Sequence, residues 1–153
     1  MSRFPIIVIS TALLLAAGCQ APANDGADIE FLHMPGTENL GLPFSSAVRV
    51  DNMIYLSGVI GTDPGGALRP IEGGIEAETR RALEIISEEL KTFGSSMDRI
   101  VKCTIFLADI DEWAAMNEVY VTFFDMPPAR SALGANGLAL NARMEIECIA
   151  VAN

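Results

Sequence analysis

The stretch MEIECIAV, residues 144–151, decides the fold that we predict. Its side chains alternate between two faces, as those of a β-strand do. One face is wholly apolar and suits packing against helices, whereas the other is mixed. The apolar face consists of Met144, Ile146, Cys148 and Ala150, and the mixed face of Glu145, Glu147, Ile149 and Val151. Apolar residues on both faces indicate a strand in a sheet that is covered on both sides.

The segments before this strand predict the rest of the sheet. Residues 47–50 and 53–57 flank Asp51-Asn52, a two-residue turn typical of a tight hairpin. Residues 100–107 predict a third strand, and residues 130–133 and 142–151 the last two. In the third strand, Val101, Cys103, Ile105 and Leu107 alternate with Lys102, Thr104 and Phe106.

Two helices are predicted between these strands. Residues 75–93 carry Leu83, Ile86, Leu90 and Phe93 at helical spacing, and Gly94 is the expected stop. A second helix is expected to begin at Asp111 as its cap and to end at Met126-Pro127-Pro128. Its apolar stripe consists of Trp113, Met116, Tyr120 and Phe123.

The predicted fold class is α+β, with a single-layer mixed sheet, two helices on one face and the element order ββαβαββ. Both faces of the sheet carry apolar residues, and the two helices can cover one of them. A partner is therefore expected on the other face. The alternative is a monomer with a few exposed aliphatic side chains.

The N-terminus predicts an export signal. Arg3 precedes an apolar run over residues 4–17, which is too short for a comfortable membrane span. The ending Ala16-Ala17-Gly18-Cys19 resembles the lipobox of bacterial lipoproteins, in which Cys19 would be acylated, and Gln20 points to the outer membrane facing the periplasm. An ordinary secretory signal is the alternative. We predict a signal over residues 1–18, a tether and N-terminal segment over 19–40, and one domain over 41–153.

Charge and cysteine content restrict the function. The chain has 20 Asp and Glu against 10 Lys and Arg, a net charge of −10, which repels nucleic-acid phosphates. Cys103 and Cys148 lie in apolar strands and are either buried thiols or a disulfide. His33 is the single histidine, so no metal site is expected.

Two segments carry a family resemblance. Arg130 stands in PARSAL, residues 128–133, and Glu145 in the last strand. An arginine fork can hold a carboxylate in two parallel hydrogen bonds, while a half-buried glutamate can take a proton from water. From about Gly41 to the C-terminus the chain resembles the RidA/YjgF family, also labelled endoribonuclease L-PSP. The resemblance implies a chorismate-mutase-like fold and a homotrimer with three clefts between neighbouring subunits.

The resemblance also implies roles for individual residues. Arg130 would bind the substrate carboxylate and Glu145 would orient water, with Glu147 as its rival. The residues expected to line the cleft are Ser57, Gly58, Phe44, Trp113, Asn117 and Ala132. Taken without the family, Arg130 would form a salt bridge, Gly58 a bulge, and Trp113 part of the core.

Two positions depart from the family pattern. Pro43-Phe44-Ser45-Ser46 stands where the family commonly reads Pro-Tyr-Ser-Gln, so a hydroxyl is missing at Phe44. Ala132 replaces a cysteine whose family role is mostly through the backbone. The loss at Phe44 removes about one hydrogen bond, roughly 0.5–1.5 kcal/mol of binding energy.

The implied reaction is hydrolysis of a 2-imino or enamino acid to a 2-keto acid and ammonia, with no metal or organic cofactor. The alternative is a non-catalytic protein of the same fold that binds or senses small carboxylate ligands in the periplasm. The ribonuclease label is a third reading, which the negative charge and the absence of a basic patch disfavour.

Overall fold

The computed structural model describes residues 26–37, 40–65 and 68–153. The strands and helices, in chain order, are β1 (Ile29–Leu32), β2 (Ala47–Val50), β3 (Met53–Leu56), α1 (Gly74–Thr92), β4 (Ile100–Leu107), α2 (Trp113–Tyr120), β5 (Ala129–Gly134) and β6 (Met144–Val151). They form one six-stranded sheet in the order β1-β2-β3-β6-β4-β5. Strands β4 and β5 are parallel, and the other neighbours are antiparallel. The predicted α+β class and mixed sheet are confirmed.

Strand β6 lies inside the sheet between β3 and β4. Its apolar face packs into the core beneath the two helices, because close packing there removes apolar surface from water. The core combines strand residues such as Ile105 and Ile146 with helix residues such as Leu83, Leu90 and Met116, all fully buried. The predicted stripe of α1 therefore faces the sheet.

The hairpin and the helix stop form as predicted. Val50 pairs with Met53 across the turn, and Asp51 adopts a positive φ of 52°, which Asp tolerates better than most residues. Its carboxylate accepts the backbone N–H of Asp28 at 3.0 Å. Gly94 follows α1 with a φ of 77°, the left-handed conformation that ends many helices.

Strand β1 was not predicted. It lies within the segment assigned to a tether and N-terminal region, and it pairs with β2 along its whole length. The sheet therefore begins before Gly41. Both Ile29 and Phe31 are exposed in the single chain, so β1 lacks the buried apolar face that a sequence pattern reveals.

Three local predictions are wrong. The second helix ends at Tyr120 and not at Met126, because the chain tightens into a 3-10 turn over Val121–Phe123. Asp109, not Asp111, caps the turn before α2: its carboxylate accepts the backbone N–H of Asp111 at 3.0 Å, and a short 3-10 turn over Ile110–Glu112 precedes the helix. Val101 does not share the buried face of Cys103. A register shift between Ile100 and Lys102 turns it outward, as an extra residue at a bulge does.

Cys103 and Cys148 form a disulfide between β4 and β6. They are direct partners in the strand register, with Cα atoms 4.1 Å apart, and both are buried. This settles the alternative that the sequence left open. Across residues 26–37, 40–65 and 68–153, no helix has the length and apolarity needed to cross a membrane.

The face of the sheet opposite the helices carries exposed apolar residues. Tyr55 pairs with Val48 and Ile149, and its strand neighbours Ile54 and Leu56 are buried on the helix side. The side chains exposed on this face include Ile29, Phe31, Tyr55 and Leu133. Phe31 and Tyr55 both pair with Val48 and so lie on either side of it, whereas Leu133 lies on the opposite edge strand, β5.

Candidate active site

Arg130 is the second residue of β5 and follows Pro127, Pro128 and Ala129. In the parallel register of β4 and β5 it is the partner of Cys103, which is buried beneath the helices. Partners in register point to the same face of a sheet. Arg130 therefore points to the helix side, toward α2.

Two aromatic rings of α2 hold the Arg130 guanidinium. Its Cζ atom lies 4.6 Å from the centroid of the Tyr120 ring and 5.8 Å from that of Trp113. Both distances allow a cation–π interaction. Tyr120 is 2% exposed and Trp113 is 45% exposed, so the guanidinium lies between a buried ring and an open one.

A cavity of about 380 Å³ opens beside the guanidinium. It is lined by Asn117, Tyr120, Val121, Pro127, Pro128 and Arg130. Within the described part of the chain, the Asn117 amide oxygen and the Tyr120 hydroxyl are buried without a hydrogen-bond partner. Burial raises the pKa of the Tyr120 hydroxyl, and the Arg130 charge acts in the opposite direction.

Glu145 lies on the other face of the sheet. It is the partner of Phe106 in β4, whereas its neighbours Met144 and Ile146 are buried in the core. Glu147, paired with Thr104, shares the face of Glu145 and is more exposed. A single chain therefore does not bring Glu145 and Arg130 to one ligand.

Gly58 lies against the Glu145 side chain. Val59 and Ile146 exchange two backbone hydrogen bonds of 2.8 and 3.0 Å, which bring residue 58 beside residue 145. A β-carbon added to Gly58 would overlap Oε1 of Glu145. A side chain at position 58 would therefore push the carboxylate out of this place.

The remaining predicted residues flank these two groups. Ser57 donates its hydroxyl to the Ser45 carbonyl at 2.7 Å, which ties the loop bearing Phe44 to the segment beside Gly58. Phe44 is 54% exposed. Ala132 is half-buried and pairs with Ile105, so it lies on the Arg130 side of the sheet.

The predicted residues therefore divide into two groups. Arg130, Trp113, Asn117 and Ala132 belong to the helix side, and Glu145 and Gly58 belong to the other. Tyr120 was predicted only as part of an apolar stripe, yet it packs directly on Arg130. The signal was its spacing from Trp113 and Asn117, since residues seven and three apart share one helix face.

Comparisons with known proteins agree with this architecture. A sequence model of the family "Endoribonuclease L-PSP" matches residues 38–152. The chain belongs to this endoribonuclease L-PSP family, also called RidA/YjgF. The predicted family is thus confirmed, and its match covers β2 to β6 together with both halves of the candidate site.

One named relative and two solved structures show how closely this L-PSP chain resembles known proteins. It is 43% identical over 111 residues to a mouse protein named 2-iminobutanoate/2-iminopropanoate deaminase, covering 71% of this chain and 81% of the mouse protein. The crystal structure of the yeast protein YEO7 superposes with a TM-score of 0.75 at 34% identity, covering 82% and 100% of the two chains. RidA from an Antarctic Psychrobacter gives a TM-score of 0.68 at 33% identity, covering 72% and 89%.

The predicted location is wrong. Relatives of this L-PSP chain include a chloroplastic Reactive Intermediate Deaminase A of Arabidopsis thaliana, 39% identical and covering 71% of this chain and 58% of that protein. Another is the mitochondrial protein mmf2 of Schizosaccharomyces pombe, 40% identical and covering 72% and 88%. These organellar relatives contradict a periplasmic outer-membrane lipoprotein. The predicted signal and Cys19 lie outside the described residues.

Proposed function

We propose that this protein hydrolyses 2-imino acids, or their enamine tautomers, to 2-keto acids and ammonia. Relatives at about 40% identity bear the name 2-iminobutanoate/2-iminopropanoate deaminase, which supports this reaction class. The net charge of −10 argues against the ribonuclease reading, because a negative protein repels a phosphate backbone.

The observation that carries the proposal is the unpaired guanidinium of Arg130. In the described part of the chain the arginines at positions 49, 69, 81 and 143 pair with carboxylates, whereas Arg80, Arg99 and Arg130 do not, and of these three only Arg130 packs on aromatic rings beside a cavity. It faces a cavity of about 380 Å³ that is suited to a small ligand. A planar guanidinium held on aromatic rings is a good receptor for a substrate carboxylate, which it can bind through two parallel hydrogen bonds.

The reaction needs one proton-accepting group near the imine carbon. With the carboxylate held by Arg130, C2 is presented to a water molecule that Glu145 orients. Glu145 takes a proton from the water as the water oxygen bonds to C2 of the protonated imine and the C=N electron pair passes to nitrogen, which gives a neutral carbinolamine. The proton then moves to nitrogen, the C–N bond of the carbinolamine breaks, ammonia leaves, and the C2 hydroxyl loses its proton to give the ketone.

This chemistry requires two copies of the chain, because Arg130 and Glu145 point to opposite faces of one sheet. We propose a homotrimer in which the exposed apolar sheet faces pack together and Arg130 of one copy approaches Glu145 of the next. Exposed Ile29, Phe31, Tyr55 and Leu133 support such an association. Sedimentation of the protein should report about three chains per particle.

We propose that the exposed rings of Phe44 and Trp113 receive a short aliphatic side chain of the substrate. Exposed Phe44 offers an apolar ring without the hydroxyl of a tyrosine. Because that ring cannot hydrogen-bond, we propose a preference for 2-imino acids with small alkyl groups over polar ones.

The test uses imino acids generated in place by an amino acid oxidase, since free imines hydrolyse within the assay. Purified protein should accelerate the release of ammonia and 2-keto acid, and Glu145→Gln should not. Phe44 favours one alternative, a protein that binds small carboxylates without turnover. Binding of 2-keto acids in calorimetry, without turnover of any imino acid, would select that alternative.

A further inference from the structure

Arg143 is held by three elements at the point where the chain enters β6. Its backbone N–H donates to a Glu78 carboxylate oxygen at 2.8 Å, and its backbone carbonyl accepts from Ala108 at 2.9 Å, just after β4. Its guanidinium pairs with Glu112, next to the start of α2. Arg143 precedes Glu145 by two residues, so these contacts fix the backbone that carries the Glu145 side chain.

Glu78 is the residue of α1 that holds Arg143. It is 4% exposed, which is unusual for a glutamate in a helix unless its carboxylate has partners. Burial raises the pKa of the Glu78 carboxyl, and the backbone N–H groups of Arg143 and Met144 act against that shift. These groups are the partners that compensate for the burial of the carboxylate.

The Glu78 region of α1 also packs on the segment that contains Gly58. A β-carbon on Gly61 would overlap the backbone carbonyl of Glu78, so the loop after Gly58 runs directly against α1. The two chain segments that meet at the contact between Gly58 and Glu145 are therefore both held by the same turn of α1. One side is held by packing at Gly61 and the other by the hydrogen bond to Arg143.

We propose that Glu78 is a positioning residue for Glu145. It holds the backbone at Arg143, where the chain enters β6, so that the Glu145 carboxylate stays over Gly58. The inference rests on the proposed function, because it takes Glu145 as the residue that orients the attacking water. Glu78 does not line the cavity beside Arg130, which lies on β5 and under α2. Loss of Glu78 therefore affects the placement of water and leaves the carboxylate receptor intact.

The experiment compares Glu78→Leu, Glu78→Asp and Glu78→Gln with the wild type. Leucine removes the acceptor, and aspartate shortens the side chain by one methylene so that it no longer reaches the Arg143 N–H. Both should lower kcat, on the order of a hundred-fold, since a displacement near 1 Å costs that much in a positioned reaction. Glutamine keeps an acceptor oxygen and should restore most of the rate.

Glu89→Leu is the matched control, because Glu89 is also a buried glutamate of α1 and one of its oxygens has no partner among the described residues. This variant should keep wild-type kcat. The dissociation constants of 2-keto acids should change less than about two-fold in every variant, because Arg130 is untouched. A parallel loss of kcat and ligand affinity in Glu78→Leu would overturn the inference, as would an unchanged kcat.

Amide hydrogen-exchange rates measure the same positioning effect and do not depend on catalysis. In Glu78→Leu the amides of Val59 and Ile146, which bond across the contact between Gly58 and Glu145, should exchange faster, while those of the β2–β3 hairpin stay unchanged. If the wild type has no deaminase activity, the proposed function is wrong. The exchange rates at Val59 and Ile146 would still show whether Glu78 holds this contact. Unchanged exchange at both amides would reject that role.

Discussion

The side chain of Glu145 lies over the backbone of Gly58, so closely that any β-carbon at position 58 would overlap Oε1. The contact is held by two hydrogen bonds between Val59 and Ile146. It joins the segment after β3 to the central strand β6, on the face of the sheet opposite the helices.

Gly58→Ala should abolish most turnover. The added methyl group pushes the Glu145 carboxylate from its place, which we expect to lower kcat on the order of a hundred-fold. Gly26→Ala is a suitable control, because a β-carbon there meets nothing within 4 Å. Steady-state kinetics of the two variants checks the prediction, and equal rates would contradict it.

Substitutions of Arg130 should weaken ligand binding in two steps. Lysine keeps the positive charge but loses the planar fork, and alanine loses both. We expect affinity for pyruvate or 2-ketobutyrate to fall about ten-fold in Arg130→Lys and about a hundred-fold in Arg130→Ala, corresponding to roughly 1.4 and 2.8 kcal/mol. Calorimetric titration measures both constants. Full affinity in Arg130→Ala would mean that the carboxylate binds elsewhere.

Glu89 should make the protein less stable as the pH rises. Burial, and next the charge of Glu88, raise the pKa of Glu89 from 4.5 to about 7, so the folded state favours the neutral carboxyl. This contribution to stability is fully present below pH 4.5 and is lost as the pH rises through 7. Relative to the wild type, Glu89→Gln should gain roughly 3 kcal/mol between pH 4 and pH 8. Denaturant unfolding at the two pH values measures this difference, and a constant difference would contradict the shift.

The disulfide should contribute measurably to folding stability. Cys103 and Cys148 are separated by 45 residues, and closing such a loop disfavours the unfolded chain by about 4 kcal/mol in the chain-entropy estimate. The double variant Cys103→Ala/Cys148→Ala should therefore unfold at lower denaturant concentration than the oxidised protein. Thiol alkylation of the denatured, unreduced wild type tests the bond itself, and two reactive thiols would rule it out.

Much of the architecture was predictable because burial leaves a periodic signal. The alternation in residues 144–151 identified a strand and the face that it turns to the helices, and the stripe from Leu83 to Phe93 identified the face of α1. Strand β1 carries no such signal, since Ile29 and Phe31 are exposed in one chain. The outward turn of Val101 was also hidden, because a single extra residue interrupts the register without changing the apolar pattern around it.

The residues of the candidate site could be predicted one by one, but not their separation onto the two faces of the sheet. Arg130 and Glu145 could be singled out by chemistry, whereas their opposite orientation depends on how β5 and β6 pair with β4. Strand register between distant segments is a tertiary property, and a shift of one residue reverses every side chain. Glu78 was overlooked for a related reason: a glutamate among Glu76, Arg80 and Arg81 resembles a solvated helix surface.

A mixing experiment tests the central claim, that one site takes Arg130 and Glu145 from different copies. Arg130→Ala and Glu145→Gln are each expected to be inactive as pure proteins. Coexpressed in equal amounts with two different tags, and purified through both tags, they form mixed particles. In a ring of three, random mixing pairs an intact Arg130 with an intact Glu145 at about one interface in four. We predict recovery of roughly that fraction of wild-type turnover, or somewhat more after selection for mixed particles. Mixed particles no more active than the pure variants would contradict the shared site.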